Sequence, residues 1–122
     1  MVRIPPDEDE KPLIWMGSAI DDLKEFPAEV QDEIGTALSA AQFGRKAPSA
    51  KPWHGEGSGV FEIVENFSTD TYRAVYTVRF PRAVYVLHAF QKKSRSGRKT
   101  DKQDVDMVGR RLRAARSHYE RG

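Results

Sequence analysis

FEIVENFSTDTYRAVYTVRFPRAVYVLHAF, residues 61–90, is the stretch whose reading decides the fold. Phe61 and Ile63 alternate with Glu62 and Val64. Tyr72, Ala74, Tyr76 and Val78 alternate with Arg73, Val75, Thr77 and Arg79, and Tyr85, Leu87 and Ala89 alternate with Val84, Val86, His88 and Phe90. A period of two belongs to strands, whose side chains point to opposite faces in turn. Ser68-Thr69-Asp70 and Pro81-Arg82 supply turn chemistry between the runs. The stretch predicts a three-strand antiparallel meander.

Turn lengths then decide which side chains share a face. If the Pro81-Arg82 turn pairs Phe80 with Ala83, Val75 faces His88 and Arg73 faces Phe90. If Thr69-Asp70 is likewise a two-residue turn, Asn66 faces Arg73 and Glu62 faces Thr77. Glu62, Arg73 and His88 then converge on one face as the candidate site. Phe61, Ile63, Tyr72, Ala74, Tyr76, Val78, Tyr85 and Leu87 form the opposite, core-facing side. An odd loop or a bulge would transfer one strand's set to the other face.

Working outward, Gly55-Glu56-Gly57-Ser58-Gly59 has neither the Gly-Lys-Ser/Thr nor the preceding strand of a phosphate loop, and reads as a lead into the sheet. Upstream of it the period is helical. Ser18 with Asp21 has N-terminal capping spacing before Ile20, Leu23 and Phe26, and Pro27 turns the chain into a second helix. That helix carries Val30, Ile34, Leu38 and Ala41 on one face and stops at Gly44. Leu13-Ile14-Trp15-Met16 is a short apolar run between Pro12 and Gly17, consistent with a buried N-terminal strand. Residues 1–11, with two prolines and four consecutive acids, read as a flexible acidic tail, leaving 12–120 as one domain.

Downstream, Gln91 to Lys102 holds six basic residues and one acid without periodicity, a basic loop. Thr100 with Gln103 has capping-box spacing, and Val105, Val108, Leu112, Ala115 and Tyr119 make the stripe of a C-terminal helix. The fold class is α+β, with two N-terminal helices on a small antiparallel sheet, the meander plus an N-terminal strand, and a C-terminal helix.

Composition limits the function classes. The 122 residues are 39% hydrophobic and 31% charged, and no apolar run approaches the ~20 residues of a membrane span. There is no cysteine, hence no disulfide, thiol nucleophile or thiolate-bound zinc; three histidines without paired spacing give no metal site, and no cofactor is implied. The N-terminus lacks the pattern of a secretory signal, so a cytoplasmic location is expected. The net charge of +2 conceals an asymmetry: residues 1–35 sum to −7 and the remainder to +9. Clustered cations gain affinity for phosphate by releasing counterions, which points to nucleic acid.

The converging side chains suit metal-independent RNA cleavage. A ribose 2′-OH attacks its own phosphate when a base takes its proton, cations stabilise the phosphorane, and an acid protonates the departing 5′-oxygen. Glu62 or His54 fits the base, Arg73 with Lys92 or Lys93 the cation, and His88 the acid. Lys51, His54, Phe90, Arg95, Arg98 and Lys99 are the candidate RNA-binding residues, Phe90 by stacking on a base. The plainer reading makes Glu62 a solvated strand residue paired with Arg73, His88 a structural histidine, and His118 a C-terminal helix residue favourable to the dipole.

Trp15-Met16-Gly17-Ser18 with Asp22-Leu23 and Phe26-Pro27, Lys51-Pro52 before Gly55, Gly59-Val60-Phe61-Glu62-Ile63, Tyr72-Arg73-Ala74-Val75-Tyr76 and Leu87-His88-Ala89-Phe90-Gln91-Lys92-Lys93-Ser94 together resemble the phage-derived HigB-type branch of the RelE/ParE toxin superfamily, over about residues 12–116. The resemblance implies a RelE-like fold and the toxin of a type II toxin-antitoxin system, a ribosome-dependent mRNA endonuclease that inhibits translation. Its implied partners are the ribosome and mRNA, an antitoxin of the helix-turn-helix kind, and operator DNA only with that antitoxin. By position, Arg73 matches the family's recurrent catalytic cation, Lys92 and Lys93 its basic residues after the last strand, and Glu62 the carboxylate that some branches use as base. RelE itself has lysines on the strand where this chain has Glu62 and Val64, and Tyr119 lies too late to match the terminal tyrosine of some relatives. A ParE-like gyrase inhibitor and a non-catalytic phage nucleic-acid-binding protein are the alternatives; neither needs a convergent acid, base and cation.

Overall fold

The computed structural model describes residues 10–92 and 100–122. In chain order it contains β1 (Leu13–Trp15), α1 (Ala19–Lys24), α2 (Ala28–Gln42), β2 (Ala50–Pro52), β3 (Val60–Phe67), β4 (Asp70–Thr77), β5 (Val84–Lys92) and α3 (Lys102–Arg121). The meander β3-β4-β5 is the centre of a five-stranded sheet of order β1-β5-β4-β3-β2. β1 runs parallel to β5, and the other pairs are antiparallel. β2, three residues ending in Pro52, lies outside the expected four strands: it is too short for alternation to show. None of the described helices is long and apolar enough to cross a membrane.

The first turn differs from the sequence expectation by two positions. Phe67 pairs with Asp70, so Ser68 and Thr69 make the turn, with Ser68 at φ 58°. Glu62 therefore stands opposite Val75 and Val64 opposite Arg73. An even shift preserves the faces, so Glu62 and Arg73 stay on one side.

β5 carries the larger correction. Val75 pairs with His88 as expected, but Tyr76 pairs with Val86, which leaves Leu87 as an extra residue in a bulge. The bulge transfers Tyr85 and Leu87 away from the side that carries Ile63, Tyr72, Ala74 and Tyr76. Both faces of the sheet are consequently covered. Val30, Ile34, Ala37, Leu38 and Ala41 of α2 and Leu23 of α1 pack with Ile63, Ala74, Tyr76, Val84 and Val86 in one core. Val108, Leu112 and Ala115 of α3 pack with Trp53, Val60, Val75, Tyr85 and Leu87 in the other. The face expected to be open is in fact half roofed by a helix.

Capping also departs in detail. α3 begins after Asp101 rather than Thr100, without a side-chain cap bond. Ser18 precedes α1 as expected, but its Oγ donates to Asp22 Oδ2 at 2.8 Å, not to Asp21.

Two arginines fasten the second layer. Arg111 of α3 donates through Nη1 to the carbonyl of Leu87 at 3.0 Å, within the bulge, and through Nη2 to Ser18 Oγ at 3.1 Å. Its guanidinium lies against Gly17, whose φ of +55° and missing Cβ make room for it. Burial holds the Arg111 pKa below its ordinary value, with Asp22 opposing the shift and Arg110 adding to it. Arg79, just after β4, donates to the carbonyls of Glu56 and Ser58, the latter at 2.8 Å, and so pins the loop between β2 and β3. The tip of that loop meets α3 where Gly109 leaves space: a Cβ there would stand 3.0 Å from Glu56 Oε2.

Candidate active site

Where α3 begins, it stands off the sheet and leaves a cleft of about 650 Å³, lined by Trp53, His54, Glu62, Arg73, Thr100, Asp101, Lys102 and Val105. The floor comes from the meander, one wall from the loop after β2, and the other from the first turn of α3.

Lys51, Glu62, Val75 and His88 form one cross-strand row over β2, β3, β4 and β5. Arg73 lies one row along, between Val64 and Phe90. From that diagonal position Arg73 Nη1 donates to Glu62 Oε1 at 2.7 Å, with the two side chains only 18% and 14% exposed. The pair is charge-assisted and substantially withdrawn from water, where removing either partner costs more than at the surface. Lys51 is exposed at the edge beside it.

The other sequence candidates separate into three groups. His54 is exposed and lines the cleft. His88 shares the face but not the cleft: it is 7% exposed, donates from Nε2 to Asp104 Oδ1 at 2.7 Å, and stacks on Phe90 with centroids 5.0 Å apart. Phe90 is itself buried at 9% within the second core, so its ring is already stacked. Lys92 closes β5 opposite Thr71. Lys93, Arg95, Arg98 and Lys99 lie outside the described residues.

Three buried polar atoms on this side have no partner among the described residues: Trp53 Nε1, Arg73 Nε and His88 Nδ1. Trp53 escaped the reading of the sequence. A tryptophan between Pro52 and His54, where a strand ends in a glycine-rich loop, was the signal available for it. Asp104 escaped too, because only the placement of α3 over the sheet brings it to His88.

The site therefore presents a cation and a carboxylate in contact, an exposed imidazole, and the amino end of a 20-residue helix in one cleft. Helix pair, five-stranded sheet, antiparallel but for β1, and C-terminal helix together define an α+β fold of the RelE type. The isolated E. coli RelE toxin matches with a TM-score of 0.53 at 17% identity, covering 82% of this chain and 97% of that one. The toxin-antitoxin complex RelBE2 from Mycobacterium tuberculosis matches at 18% identity and a TM-score of 0.44, covering 71% of this chain and 97% of that chain. No curated relative matches the sequence. The chain belongs to the family described as phage-derived protein Gp49-like (DUF891), whose model matches residues 21–113.

Proposed function

We propose that this protein is the toxin of a type II toxin-antitoxin system and cleaves mRNA on the ribosome without a metal. The observation that carries the reading is the Glu62–Arg73 contact at 2.7 Å on the floor of an open cleft. Family membership supplies the toxin class, and the two side chains supply the chemistry.

In this mechanism Glu62 accepts the proton of the ribose 2′-OH, the 2′-oxygen attacks the adjacent phosphorus, and Arg73 stabilises the charge that grows on the phosphorane. The 5′-oxygen leaves with a proton from His54, the imidazole that lines the cleft. His88, which the sequence offered for that step, sits beneath α3 and holds its first turn through Asp104, a positioning role. Lys51, Lys92 and the basic residues 93–99 attract the RNA backbone. The acidic antitoxin surface that such a cationic site invites would compete with RNA for Arg73 and Lys51. The protein acts in the cytoplasm, with the ribosome, mRNA and a helix-turn-helix antitoxin as partners and operator DNA reached only through that antitoxin.

Inducing the wild-type chain and Arg73→Ala in a bacterial host, with primer extension on abundant transcripts, tests the reading. The expected result is growth arrest with new 5′ ends inside translated regions, reduced by roughly 100- to 1,000-fold in Arg73→Ala, the usual effect of removing a transition-state donor. Arrest with intact transcripts would overturn the nuclease reading in favour of gyrase inhibition.

A further inference from the structure

We infer that Trp53 and the first turn of α3 form a second phosphate subsite in the cleft, one that holds an RNA phosphodiester flanking the one that reacts. The RNA as ligand rests on the nuclease reading; the subsite itself rests on the side chains.

Two residues that line this part of the cleft, Trp53 and Arg73, each carry a buried side-chain donor with no acceptor among the described residues. Trp53 is 5% exposed, lines the cleft, and buries an indole N–H with no acceptor among the described residues. An indole nitrogen can only donate. Arg73 spends Nη1 on Glu62 but leaves Nε–H buried and unpartnered. α3 adds two more donors. The carbonyl of Asp101 takes the amides of Asp104 and Val105, at 3.0 Å each, and no side-chain cap closes the helix, so the amides of Lys102 and Gln103 have no acceptor among the described residues. Buried side-chain donors without acceptors are uncommon in folded proteins, and two of them on residues lining one cleft, beside the exposed amides of a helix start, suit an acceptor-only ligand. A phosphodiester meets that need with two non-bridging oxygens and one negative charge, which the helix amino end favours.

The carboxylates in the cleft mark the opposing contribution. Glu62 is neutralised by Arg73. Asp101 makes no side-chain cap bond among the described residues and repels an anion there, while the Lys102 ammonium is drawn to Asp106 at 2.8 Å. Neutralising Asp101 should therefore tighten the ligand, whereas a purely structural cap would leave binding unmoved.

The chain has two tryptophans, so Trp15→Phe leaves Trp53 as the sole indole emitter. In that background the full chain is titrated with a 2′-O-methyl RNA trinucleotide, which carries two phosphodiesters and resists cleavage, and separately with inorganic phosphate. Saturable change in Trp53 emission with the trinucleotide, and a much weaker response to phosphate, is expected. Trp53→Phe keeps the ring and loses the N–H; it should weaken the trinucleotide by roughly tenfold, read by anisotropy of a labelled copy, and should raise KM for cleavage more than it lowers kcat. Asp101→Asn should tighten it. Unchanged affinity in both variants, or equal affinity for phosphate and trinucleotide, overturns the subsite. Because the titration needs no cleavage, a chain that binds in this way yet leaves transcripts intact would overturn the nuclease reading alone.

Discussion

Gly17 and Gly35 show how differently one residue type is held in this molecule. Gly17 has a φ of +55°, and a Cβ placed on it would stand 2.7 Å from Arg111 Nε. Gly17→Ala therefore strains the backbone and displaces the guanidinium that ties α3 to Leu87 and Ser18; a loss of about 1–3 kcal/mol in urea unfolding is expected. Gly35 sits on the exposed side of α2 with nothing within 4 Å of a Cβ, so Gly35→Ala should stabilise by about 0.5–1 kcal/mol in the same measurement. Asp104→Ala leaves the buried His88 Nε2 without its 2.7 Å partner, with an expected cost of about 1–3 kcal/mol. At this scale the sequence was informative where side chains alternate. Glu62 and Arg73 could be placed on one face because a register error of two residues does not change parity. Trp53, Asp104 and Arg79 could not be placed: Trp53 packs against a helix about 50 residues on, Asp104 meets His88 only once that helix lies over the sheet, and Arg79 bonds backbone carbonyls that no side-chain pattern records.

The elements differ in what their patterns could reveal. α2 was legible because its apolar residues recur at helical spacing and only one side is covered. β5 was not, since Val84 to Phe90 is apolar on both sides and pairs with a core on each, so no alternation betrayed the extra residue at Leu87. That same two-sided burial makes the packing of α3 measurable: Leu112→Ala, at a position only 6% exposed, should cost about 2–5 kcal/mol. The contact of α2 with β3 makes a pH prediction. Burial first, and the nearby Glu33 second, raise the Glu65 pKa above its ordinary 4.5. A carboxyl raised in the folded state destabilises only when ionised, so the penalty is absent below the unfolded value and develops as pH rises through the folded one. Glu65→Gln should raise stability at pH 7 and match the wild type below pH 4.5, as urea midpoints at the two pH values would show.

Over the whole molecule, charge and fastening are both uneven. The acidic first 35 residues build β1, α1 and the start of α2, while the residues after them, with a net charge of +9, supply the cleft. Binding of the trinucleotide should therefore fall linearly in log affinity against log salt, with a smaller slope in Arg73→Ala. α3 is attached with different strength along its length. Near its carboxyl end Tyr85 Oη meets His118 Nδ1 at 2.8 Å, Tyr119 stacks on Phe80 at 5.2 Å, and Arg82 covers the Tyr119 ring at 4.2 Å. Arg111 clamps the middle, and near the amino end Asp104 holds to His88 while Val105 is 38% exposed. Mechanically this is a beam built into a wall at one end and, among the described residues, resting on the Asp104–His88 prop near the other. Bending of such a beam would change the width of the cleft, amide exchange should quicken from Ala115 back toward Gln103, and a ligand gripping the amino end would stiffen it from there.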